Sequence, residues 1–590
     1  MDPNNIAVRF AASAIIHAQR PATRIRVGDQ WVVQTYEQLH GRVRQLAARL
    51  IDLGLQPGDR VGLFAPNLPE WTLIDLACLT AGLVVVPLYP TSTPDQAEHI
   101  LADSGSRLLF VDGGERWQRV VGINLPTLER TISFTPVDGL PTLADELAAA
   151  PKTQDAVDER LATTSADALA TIVYTSGTTG VPKGVMLHHR GFIHQLDVLT
   201  RSLKISPDDS SLSFLPLSHA LERAWTFVLV ACGAMNTYVP DPRTVAEQMV
   251  LAQPTLLVSV PRLYEKVYST AKEKVADSGV KRRIMAWSLR VGARYHRELL
   301  AGRKPSAFTA ARYRLADKLV LGNVRAAMGG PKSVLACGGA PLRQEIEEFF
   351  LACGLLVLQG YGLTEASPLI SFPSPQAYRF GTVGQVIEGA EVKLTDEGEI
   401  CYRAPNLMMG YWNQPEATAD VLRDGWLHTG DIGEVDADGY LKITDRIKDL
   451  IVTSNGKNIA PAPIEGLLAS DPLLEYTALL GDNRPYLTLL VSPSLPHLED
   501  IGRQLQLSWE HRDELLRHPE ILAEIHKRVD ALTERLAAHE KIRDLRVLIE
   551  EFTQENGLLT PTLKVKRREV EKRFAALVDE MYAKAGRPRH

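Results

Sequence analysis

The feature that most constrains the fold is a short apolar run that leads directly into a loop rich in glycine and hydroxyl residues. Residues 170–173 are apolar or β-branched, which predicts a buried strand, and residues 174–185 read Tyr-Thr-Ser-Gly-Thr-Thr-Gly-Val-Pro-Lys-Gly-Val. Glycines let backbone N–H groups turn toward an anion, hydroxyls add donors, and a lysine adds a positive charge. This inventory suits a polyphosphate, although the spacing is not that of a P-loop, and composition alone is equally typical of a solvated surface turn. The candidate ligands are Thr175, Ser176, Gly177, Thr178, Thr179, Gly180 and Lys183.

Length and composition indicate a globular protein of more than one domain. The chain has 590 residues, which is too long for one hydrophobic core, and 45% of them are hydrophobic while 23% are charged. The net charge of −6 gives no sign of a nucleic-acid-binding surface. The five cysteines are scattered and odd in number, so they indicate neither a disulfide framework nor a paired metal spacing.

The same features favour a cytoplasmic protein. Free cysteines fit a reducing compartment, and residues 1–10 lack the basic run and apolar core of a secretory signal. The most apolar long stretch, residues 73–89, is interrupted by Asp75, Gly82 and Pro87, so we do not expect it to cross a membrane.

The first part of the chain alternates between helical and strand patterns. Residues 35–38 form a capping-box pattern ahead of a helix that extends to Leu53, where Gly54 can end it. A strand pattern at 60–64 is followed by a helical stretch at 70–81. Two further strand patterns follow at 83–87 and 107–111. This alternation predicts an α/β domain with a parallel sheet.

Two later segments combine a predicted strand with a glycine-rich turn. Residues 337–341 read Cys-Gly-Gly-Ala-Pro, which permits close approach to a flat ligand but is also typical of a tight strand-to-helix turn. Residues 359–368 read Gln-Gly-Tyr-Gly-Leu-Thr-Glu-Ala-Ser-Pro, in which Tyr361 can stack on a base and Glu365 is the natural magnesium ligand. The candidate binding residues of both segments are Gly338, Gly339, Ala340, Gln359, Gly360, Tyr361, Gly362 and Thr364.

An aspartate and an arginine follow in two further turns. Asp431 lies in Thr-Gly-Asp-Ile-Gly and suits a pair of ribose hydroxyls, although an aspartate there can equally stabilise its own turn. Arg446 ends Gly-Tyr-Leu-Lys-Ile-Thr-Asp-Arg and can donate to the same sugar or to an α-phosphate.

A basic segment separates the central motifs. Arginines and lysines recur from Lys281 to Lys318 and are interleaved with Ile284, Trp287 and other apolar residues. A basic amphipathic helix with an aromatic residue can lie on an anionic membrane surface, but a solvated pair of helices packed on its own domain fits the pattern as well.

The motifs of residues 174–185 and 359–368, together with Gly425-Trp426-Leu-His428, resemble those of the adenylate-forming (AMP-binding) superfamily. That family contains acyl-CoA synthetases, peptide-synthetase adenylation domains and luciferases, and the motifs run in family order from Tyr174 to Lys564. The resemblance implies an α/β fold in which a large multi-sheet N-terminal domain (1–447) precedes a small mobile α+β C-terminal domain (448–590). The insertion at about 270–330 resembles the long-chain branch of acyl-CoA synthetases.

The resemblance also implies roles for residues that spacing alone does not assign. It places His219 beside the substrate carboxylate, whereas by itself this histidine reads as a packed core or cap residue. It places residues 338–340 at the adenine or the acyl channel, the hinge at Lys448, and Gly456 and Lys457 near the tunnel of the thiol donor.

The lysine that enters the active site during adenylation is implied by the same resemblance. The Thr-Leu-Lys register favours Lys564, and the nearby Lys566 is the alternative. A cation at this place offsets the negative charge that builds on the carboxylate and the α-phosphate. By this resemblance the candidate catalytic residues are Lys564, Thr175, His219 and Arg446.

The function implied is that of a long-chain fatty-acid–CoA ligase. ATP, Mg²⁺ and coenzyme A would serve to convert a fatty acid to its acyl-adenylate and then to its thioester. Two alternatives are a fatty acyl-AMP ligase that loads a carrier protein and a non-catalytic nucleotide- or lipid-binding module. Neither the oligomeric state, with a homodimer among the options, nor contact with the inner face of the membrane follows from the motifs.

Overall fold

The computed structural model describes residues 3, 5–151, 153–175, 182–447, 449–455, 457–554, 556–560 and 564–583. The helices are α1 (Ile6–Ile16), α2 (Tyr36–Asp52), α3 (Pro69–Thr80), α4 (Pro94–Ser104), α5 (Gly114–Val120), α6 (Leu143–Ala148), α7 (Asp155–Thr163), α8 (His189–Leu203), α9 (Ala220–Cys232), α10 (Val245–Ala252), α11 (Pro261–Glu273), α12 (Gly279–Leu300), α13 (Ala307–Ala316), α14 (Gly322–Ala327), α15 (Gln344–Ala352), α16 (Pro415–Val421), α17 (Pro461–Leu468), α18 (Leu495–Gln504), α19 (Arg512–Arg517), α20 (Pro519–Thr533), α21 (Arg567–Arg573) and α22 (Ala575–Ala583). A π-helical turn, Asp317–Leu321, joins α13 to α14, and short 3₁₀ turns lie at Pro242–Thr244 and Thr364–Ala366.

The strands are β1 (Pro21–Val27), β2 (Gln30–Thr35), β3 (Arg60–Phe64), β4 (Val84–Leu88), β5 (Leu108–Val111), β6 (Arg130–Ser133), β7 (Leu169–Thr175), β8 (Lys183–His188), β9 (Ser210–Ser213), β10 (Met235–Tyr238), β11 (Leu256–Ser259), β12 (Val334–Cys337), β13 (Val357–Gln359), β14 (Tyr361–Gly362), β15 (Leu369–Phe372), β16 (Gln385–Val386), β17 (Glu391–Leu394), β18 (Glu399–Arg403), β19 (Gly410–Tyr411), β20 (Leu422–Arg423), β21 (Trp426–Val435), β22 (Leu441–Arg446), β23 (Ile451–Val452), β24 (Asn458–Ile459), β25 (Tyr476–Leu480), β26 (Leu487–Ser492) and β27 (Ile542–Val547).

Two seven-stranded sheets form most of the region before residue 447. One has the order β19-β8-β7-β4-β3-β5-β6 and the other the order β13-β12-β11-β9-β10-β1-β2. Strands β7, β12 and β13 pair in parallel with their neighbours β4, β11 and β12, so the turns after them lie at carboxyl ends of parallel strands. In open α/β sheets this edge is where ligands bind. The predicted α/β fold is confirmed. Both sheets are mixed, because β2, β8 and β19 pair antiparallel with their neighbours.

The start of the chain follows its predicted pattern closely. Thr35 accepts a hydrogen bond from the N–H of Gln38, and the Gln38 side chain accepts one from the N–H of Thr35, which completes the capping box. Helix α2 ends at Asp52, and Gly54 adopts a φ of +85° directly after it. The side-chain cap and the glycine therefore bound the helix as the sequence predicts.

The region after residue 448 has hydrophobic cores of its own. One core lies between the sheet β25-β26-β27 and helices α17 and α20. The second lies between the same sheet and helices α21 and α22. Separate cores are what a distinct C-terminal domain requires. The boundary at residues 447/448 stays a prediction. None of the described helices combines the length and the apolar character needed to cross a bilayer.

A fully buried ion pair joins the elements that carry the candidate site. Arg223 on α9 donates from Nε to Asp75 on α3 at 2.9 Å and from Nη1 to the Thr171 hydroxyl at 2.6 Å. The two charged side chains are 1% and 2% exposed. Since β7 ends at Thr175 and α9 begins directly after His219, this pair fixes the spacing between two predicted site residues.

We predict that Arg223→Met destabilises the protein strongly, because it leaves the Asp75 carboxylate buried without its cation. Loss of one partner of a buried pair costs about 3–5 kcal/mol. The measurement is the urea-unfolding midpoint, with Arg243→Met as the control, because Arg243 is exposed and solvent screens its ion pair with Asp241. Equal midpoints for the two variants would contradict the prediction.

Candidate active site

The predicted phosphate loop is anchored at both ends by one strand pair. Thr175 ends β7, Lys183 begins β8, and the two residues are directly opposite each other in the antiparallel register. The Lys183 ammonium lies 5.2 Å from the centre of the Tyr411 ring. Five loop residues named above lie outside the described residues, namely Ser176, Gly177, Thr178, Thr179 and Gly180.

The centre of the site is a carboxylate held between a phenol and a guanidinium. Asp431 and Arg446 are opposite each other in β21 and β22, and the Arg446 Nε lies 3.1 Å from Asp431 Oδ1. The Tyr361 hydroxyl donates to Asp431 Oδ2 at 2.6 Å. Burial raises the pKa of Asp431, and Arg446 and Tyr361 oppose that shift. The arrangement brings two predicted nucleotide ligands, Tyr361 and Arg446, into contact with a third, Asp431.

A second polar cluster fixes the turn that presents Asp431. Glu399 Oε2 lies 2.9 Å from His428 Nδ1, and Glu399 Oε1 accepts from the Gly430 N–H at 3.0 Å. Cys401 Sγ is 3.5 Å from the same ring nitrogen. The two sides of β21 alternate, so this cluster lies on the face away from Asp431. Cysteine spacing in the sequence gave no indication of this cluster.

The predicted magnesium ligand, Glu365, is linked through Tyr411 to Lys183 of the predicted phosphate loop. Glu365 Oε1 accepts from the Tyr411 hydroxyl at 2.9 Å, and Tyr411 in turn lies beneath Lys183. Among the described residues, the three-ligand grouping with metal-binding spacing is Glu399, Cys401 and His428, and it does not include Glu365. Magnesium usually takes one or two carboxylates and completes its shell with phosphate oxygens and water, so a single carboxylate beside the phosphate loop fits its chemistry.

The two glycines that flank Tyr361 are required sterically. A Cβ on Gly362 would lie 1.7 Å from the Pro368 carbonyl oxygen, and a Cβ on Gly360 would lie 2.6 Å from Phe372. The turn of residues 338–340 is held by Gln359, whose Oε1 accepts from the Leu342 N–H at 3.0 Å. Thr364 is buried at the start of the 3₁₀ turn that carries Glu365. The two motifs therefore pack as one unit.

A lysine of the C-terminal domain reaches into this unit. The Lys564 ammonium donates to the carbonyl oxygen of Gly339, a residue with a φ of +81°. Lys564 is an exposed residue, although protein atoms closely surround its ammonium group. Burial, followed by Arg446, lowers the pKa of Lys564, while Asp431 and Asp449 oppose the shift.

The neighbours of Lys564 bear on two predictions. His219 caps α9 by accepting from the Leu221 N–H at 3.2 Å, and burial together with Lys564 lowers its pKa to about 4. His219 is therefore neutral at pH 7. Lys566 instead serves as the N-terminal flank of α21, where its N–H donates to the Leu558 carbonyl oxygen. The geometry therefore favours Lys564 over Lys566.

The predicted hinge and thiol-tunnel residues are less fully described. Lys448 and Gly456 lie outside the described residues. Lys457 lies in the β23–β24 hairpin, where its N–H donates to the Thr453 hydroxyl at 3.2 Å. The backbone of Lys457 bonds within the hairpin, and its role beside the thiol tunnel stays a prediction.

A second contact between the domains was not predicted from the sequence. Arg262 on α11 donates to the Glu475 carbonyl oxygen at 3.0 Å and to the Glu475 carboxylate at 2.9 Å. Its guanidinium also lies 4.6 Å from the centre of the Tyr476 ring. His497 and Glu273 add a pair at 3.6 Å. Two further residues of the site were also not predicted from the sequence. Tyr411 contacts Glu365, and Asp449 is one of the charges near Lys564. The Gly410-Tyr411-Trp412 string is the signal in the sequence that could have indicated close packing at Tyr411.

Comparison with known proteins decides the family. Residues 10–412 match the AMP-binding enzyme family, and residues 448–586 match the AMP-binding enzyme C-terminal domain.

The chain belongs to the AMP-binding enzyme family.

Relatives and solved structures of the family align with nearly the whole chain. The chain is 33% identical over 569 residues to long-chain-fatty-acid–CoA ligase FadD15 of Mycobacterium tuberculosis (strain ATCC 25618 / H37Rv), covering 94% of this chain and 93% of that protein. It is 29% identical to long-chain-fatty-acid–CoA ligase ACSBG2 of Rattus norvegicus, covering 98% and 93%. The A domain of carboxylic acid reductase from Segniliparus rugosus, in complex with AMP and a co-purified carboxylic acid, has a TM-score of 0.75 at 21% identity, covering 98% and 94%. This likeness confirms the adenylate-forming fold.

Proposed function

We propose that the protein is an AMP-forming long-chain-fatty-acid–CoA ligase. The observation that carries the proposal is the seat of Lys564, which donates to Gly339 beside the Asp431–Arg446 pair. A cation from a second domain, placed against a nucleotide-type site, suits a reaction that builds negative charge on a carboxylate and a phosphate. The relatives named above support the choice of a long-chain fatty acid and of coenzyme A.

In the first half-reaction the fatty-acid carboxylate attacks the α-phosphate of ATP. A bond forms between a carboxylate oxygen and the α-phosphorus. The bond between the α-phosphorus and the oxygen that bridges to the β-phosphate breaks, and pyrophosphate leaves. Catalysis is positioning and charge neutralisation, without a covalent enzyme intermediate. Bound magnesium would supply charge neutralisation at the phosphates, with Glu365 as its protein ligand.

Each group of site residues has one task in this proposal. Asp431 and Arg446 hold the ribose, Tyr361 stacks on the base, and residues 338–340 border the adenine or the acyl channel. Neutral His219 lies beside the carboxylate and donates one hydrogen bond without acting as a base. The phosphates are held by Thr175, Ser176, Gly177, Thr178, Thr179, Gly180 and Lys183.

The second half-reaction requires the C-terminal domain to turn. The hinge at Lys448 moves Lys564 out of the cleft, and Gly456 and Lys457 come to the tunnel of coenzyme A. The thiol then attacks the acyl carbonyl, the bond to AMP breaks, and the thioester leaves. The contacts that must break are the Lys564–Gly339 hydrogen bond and the Arg262–Glu475 pair.

The setting that fits these substrates is the cytoplasm. Fatty acid, ATP and coenzyme A are the proposed partners, and nucleic acid is not among them. Contact with the inner face of a membrane is a separate proposal that depends on the surface of α12 and α13.

The direct test is product analysis with purified protein, ATP, Mg²⁺ and fatty acids of graded chain length. We expect AMP, pyrophosphate and acyl-CoA in equal amounts, with long chains preferred over acetate. Product on a carrier protein but not on coenzyme A would favour the fatty acyl-AMP ligase. Binding of ATP without pyrophosphate exchange would favour the non-catalytic module.

We predict that Lys564→Ala lowers the rate of acyl-adenylate formation by at least about 100-fold, because removal of one group that stabilises transition-state charge costs that much in other enzymes. Thioester formation from supplied acyl-adenylate should change far less. Lys566→Ala is the matched control and should retain both rates. Equal losses for the two variants in both half-reactions would contradict the assignment of Lys564.

A further inference from the structure

Three side chains with metal-binding atoms converge on one ring nitrogen where β18 pairs with β21. Glu399 Oε2 lies 2.9 Å from His428 Nδ1, and Cys401 Sγ lies 3.5 Å from the same nitrogen. Cys401 is directly opposite His428 in the antiparallel register, and Glu399 lies two residues earlier on the same side of β18. We call these three residues the Glu–Cys–His cluster.

Hydrogen bonding accounts for only part of this cluster. A ring nitrogen of histidine either donates one hydrogen bond or accepts one. If Nδ1 donates its proton to Glu399, it has no lone pair to accept from the Cys401 thiol. If Nδ1 instead accepts from the thiol, it faces the Glu399 carboxylate, a second acceptor, at 2.9 Å. A metal cation satisfies carboxylate, imidazole and thiolate together, because each of them offers it a lone pair.

The same geometry does not suit a nucleophilic cysteine. In a catalytic triad the histidine contacts the nucleophile through one ring nitrogen and the acidic residue through the other. Here both partners lie nearest to His428 Nδ1, since Cys401 Sγ is 3.9 Å from Nε2. Cys401 is also fully buried, which closes it to a substrate. Convergence on one nitrogen is instead typical of ligands that share a metal ion.

The spacing of the cluster fits tetrahedral zinc. Bonds of about 2.0–2.1 Å to nitrogen and about 2.3 Å to sulfur place these two ligand atoms about 3.5 Å apart. The distance between His428 Nδ1 and Cys401 Sγ is 3.5 Å. The Glu399 oxygen has to withdraw from Nδ1 by only about half an ångström to reach the separation of a tetrahedral pair, which a rotation of its side chain supplies.

Access and support are both present at the cluster. The side chains of His428 and Glu399 are 21% and 17% exposed, so an ion can enter from solvent and keep a water molecule as its fourth ligand. Glu399 Oε1 accepts from the Gly430 N–H at 3.0 Å, which orients the other oxygen of the carboxylate toward the cluster. A thiolate favours zinc over magnesium, because magnesium prefers oxygen ligands.

We propose that Glu399, Cys401 and His428 bind one Zn²⁺ ion and that the bound ion fixes the turn of residues 428–431. On binding, the Cys401 thiol releases its proton to solvent, and a sulfur–zinc bond replaces the sulfur–hydrogen bond. Glu399 then bonds to the ion through one oxygen and to Gly430 through the other, which couples the ion to the turn that presents Asp431. The proposal rests on this cluster and not on ligase activity.

The test is titration of the full-length, reduced and chelator-treated protein with Co²⁺, which occupies zinc sites and absorbs light when a thiolate binds it. We expect a thiolate-to-cobalt charge-transfer band that Zn²⁺ abolishes and that excess Mg²⁺ leaves unchanged. Cys401→Ser should lack the band. The matched control is Cys232→Ser, which removes a half-buried thiol outside the cluster and should retain the band.

Two further variants keep the thiol and test the other ligands. Glu399→Gln and His428→Gln should each weaken Zn²⁺ binding at least about ten-fold in competition with a chromophoric chelator, since loss even of a residue that only supports a metal ligand costs about 10–100-fold. Glu399→Gln keeps an oxygen that can accept from Gly430, so it separates metal binding from the turn. The control is Glu391→Gln, which alters an exposed glutamate on the adjacent strand β17 and should leave the affinity unchanged.

Hydrogen exchange reports the coupling to the turn. We expect Zn²⁺ to slow amide exchange at residues 428–431 in the wild type but not in Glu399→Gln. Absence of the cobalt–thiolate band in the wild type, an unchanged band in Cys401→Ser, wild-type Zn²⁺ affinity in both glutamine variants, or exchange that Zn²⁺ does not alter would each overturn the proposal. Since none of these readouts requires catalysis, failure here is distinct from failure of the proposed ligase function.

Discussion

The arrangement of the candidate site depends on the Asp431 carboxylate, held between the Tyr361 hydroxyl and the Arg446 guanidinium. Tyr361 belongs to the glycine-rich turn of residues 359–368, whereas Asp431 and Arg446 face each other in the β21–β22 hairpin. The Tyr361–Asp431 hydrogen bond therefore holds the turn against the hairpin. The buried carboxylate is stable because both neighbours donate to it or offset its charge. On the opposite face of β21, Glu399 and His428 fix the turn that presents it.

Polar contacts join the two domains in the part of the chain that the structure describes. Lys564 donates to Gly339, Arg262 donates twice to Glu475, and His497 pairs with Glu273, while each hydrophobic core cluster lies within its own domain. Polar contacts of this kind are compatible with the domain movement that two half-reactions require. Burial lowers the pKa of His219, and the nearby Lys564 cation lowers it further, so this imidazole stays neutral.

Much of the fold and of the candidate site could be predicted from the sequence, because local patterns govern both. The capping box at Thr35 and the strand before Thr175 follow from short-range chemistry, and the motif order revealed the family. The Arg223–Asp75 pair joins residues 148 positions apart, and Arg262 meets Glu475 from 213 positions away. No local pattern encodes such pairings, because they arise only when sheets and domains pack. For the same reason, the sequence left open which side of the basic helix α12 faces outward.

The central claim is that Asp431, seated between Tyr361 and Arg446, holds a nucleotide. The most direct measurement is the calorimetric dissociation constant of AMP for the wild type, for Asp431→Asn and for Asp436→Asn. Asp436 is a partly exposed aspartate directly after the end of the same strand. The account predicts at least about ten-fold weaker AMP binding for Asp431→Asn, since hydrogen bonds to a charged group contribute about 1.5–3 kcal/mol. It predicts unchanged binding for Asp436→Asn. Equal affinity in all three proteins would contradict the account.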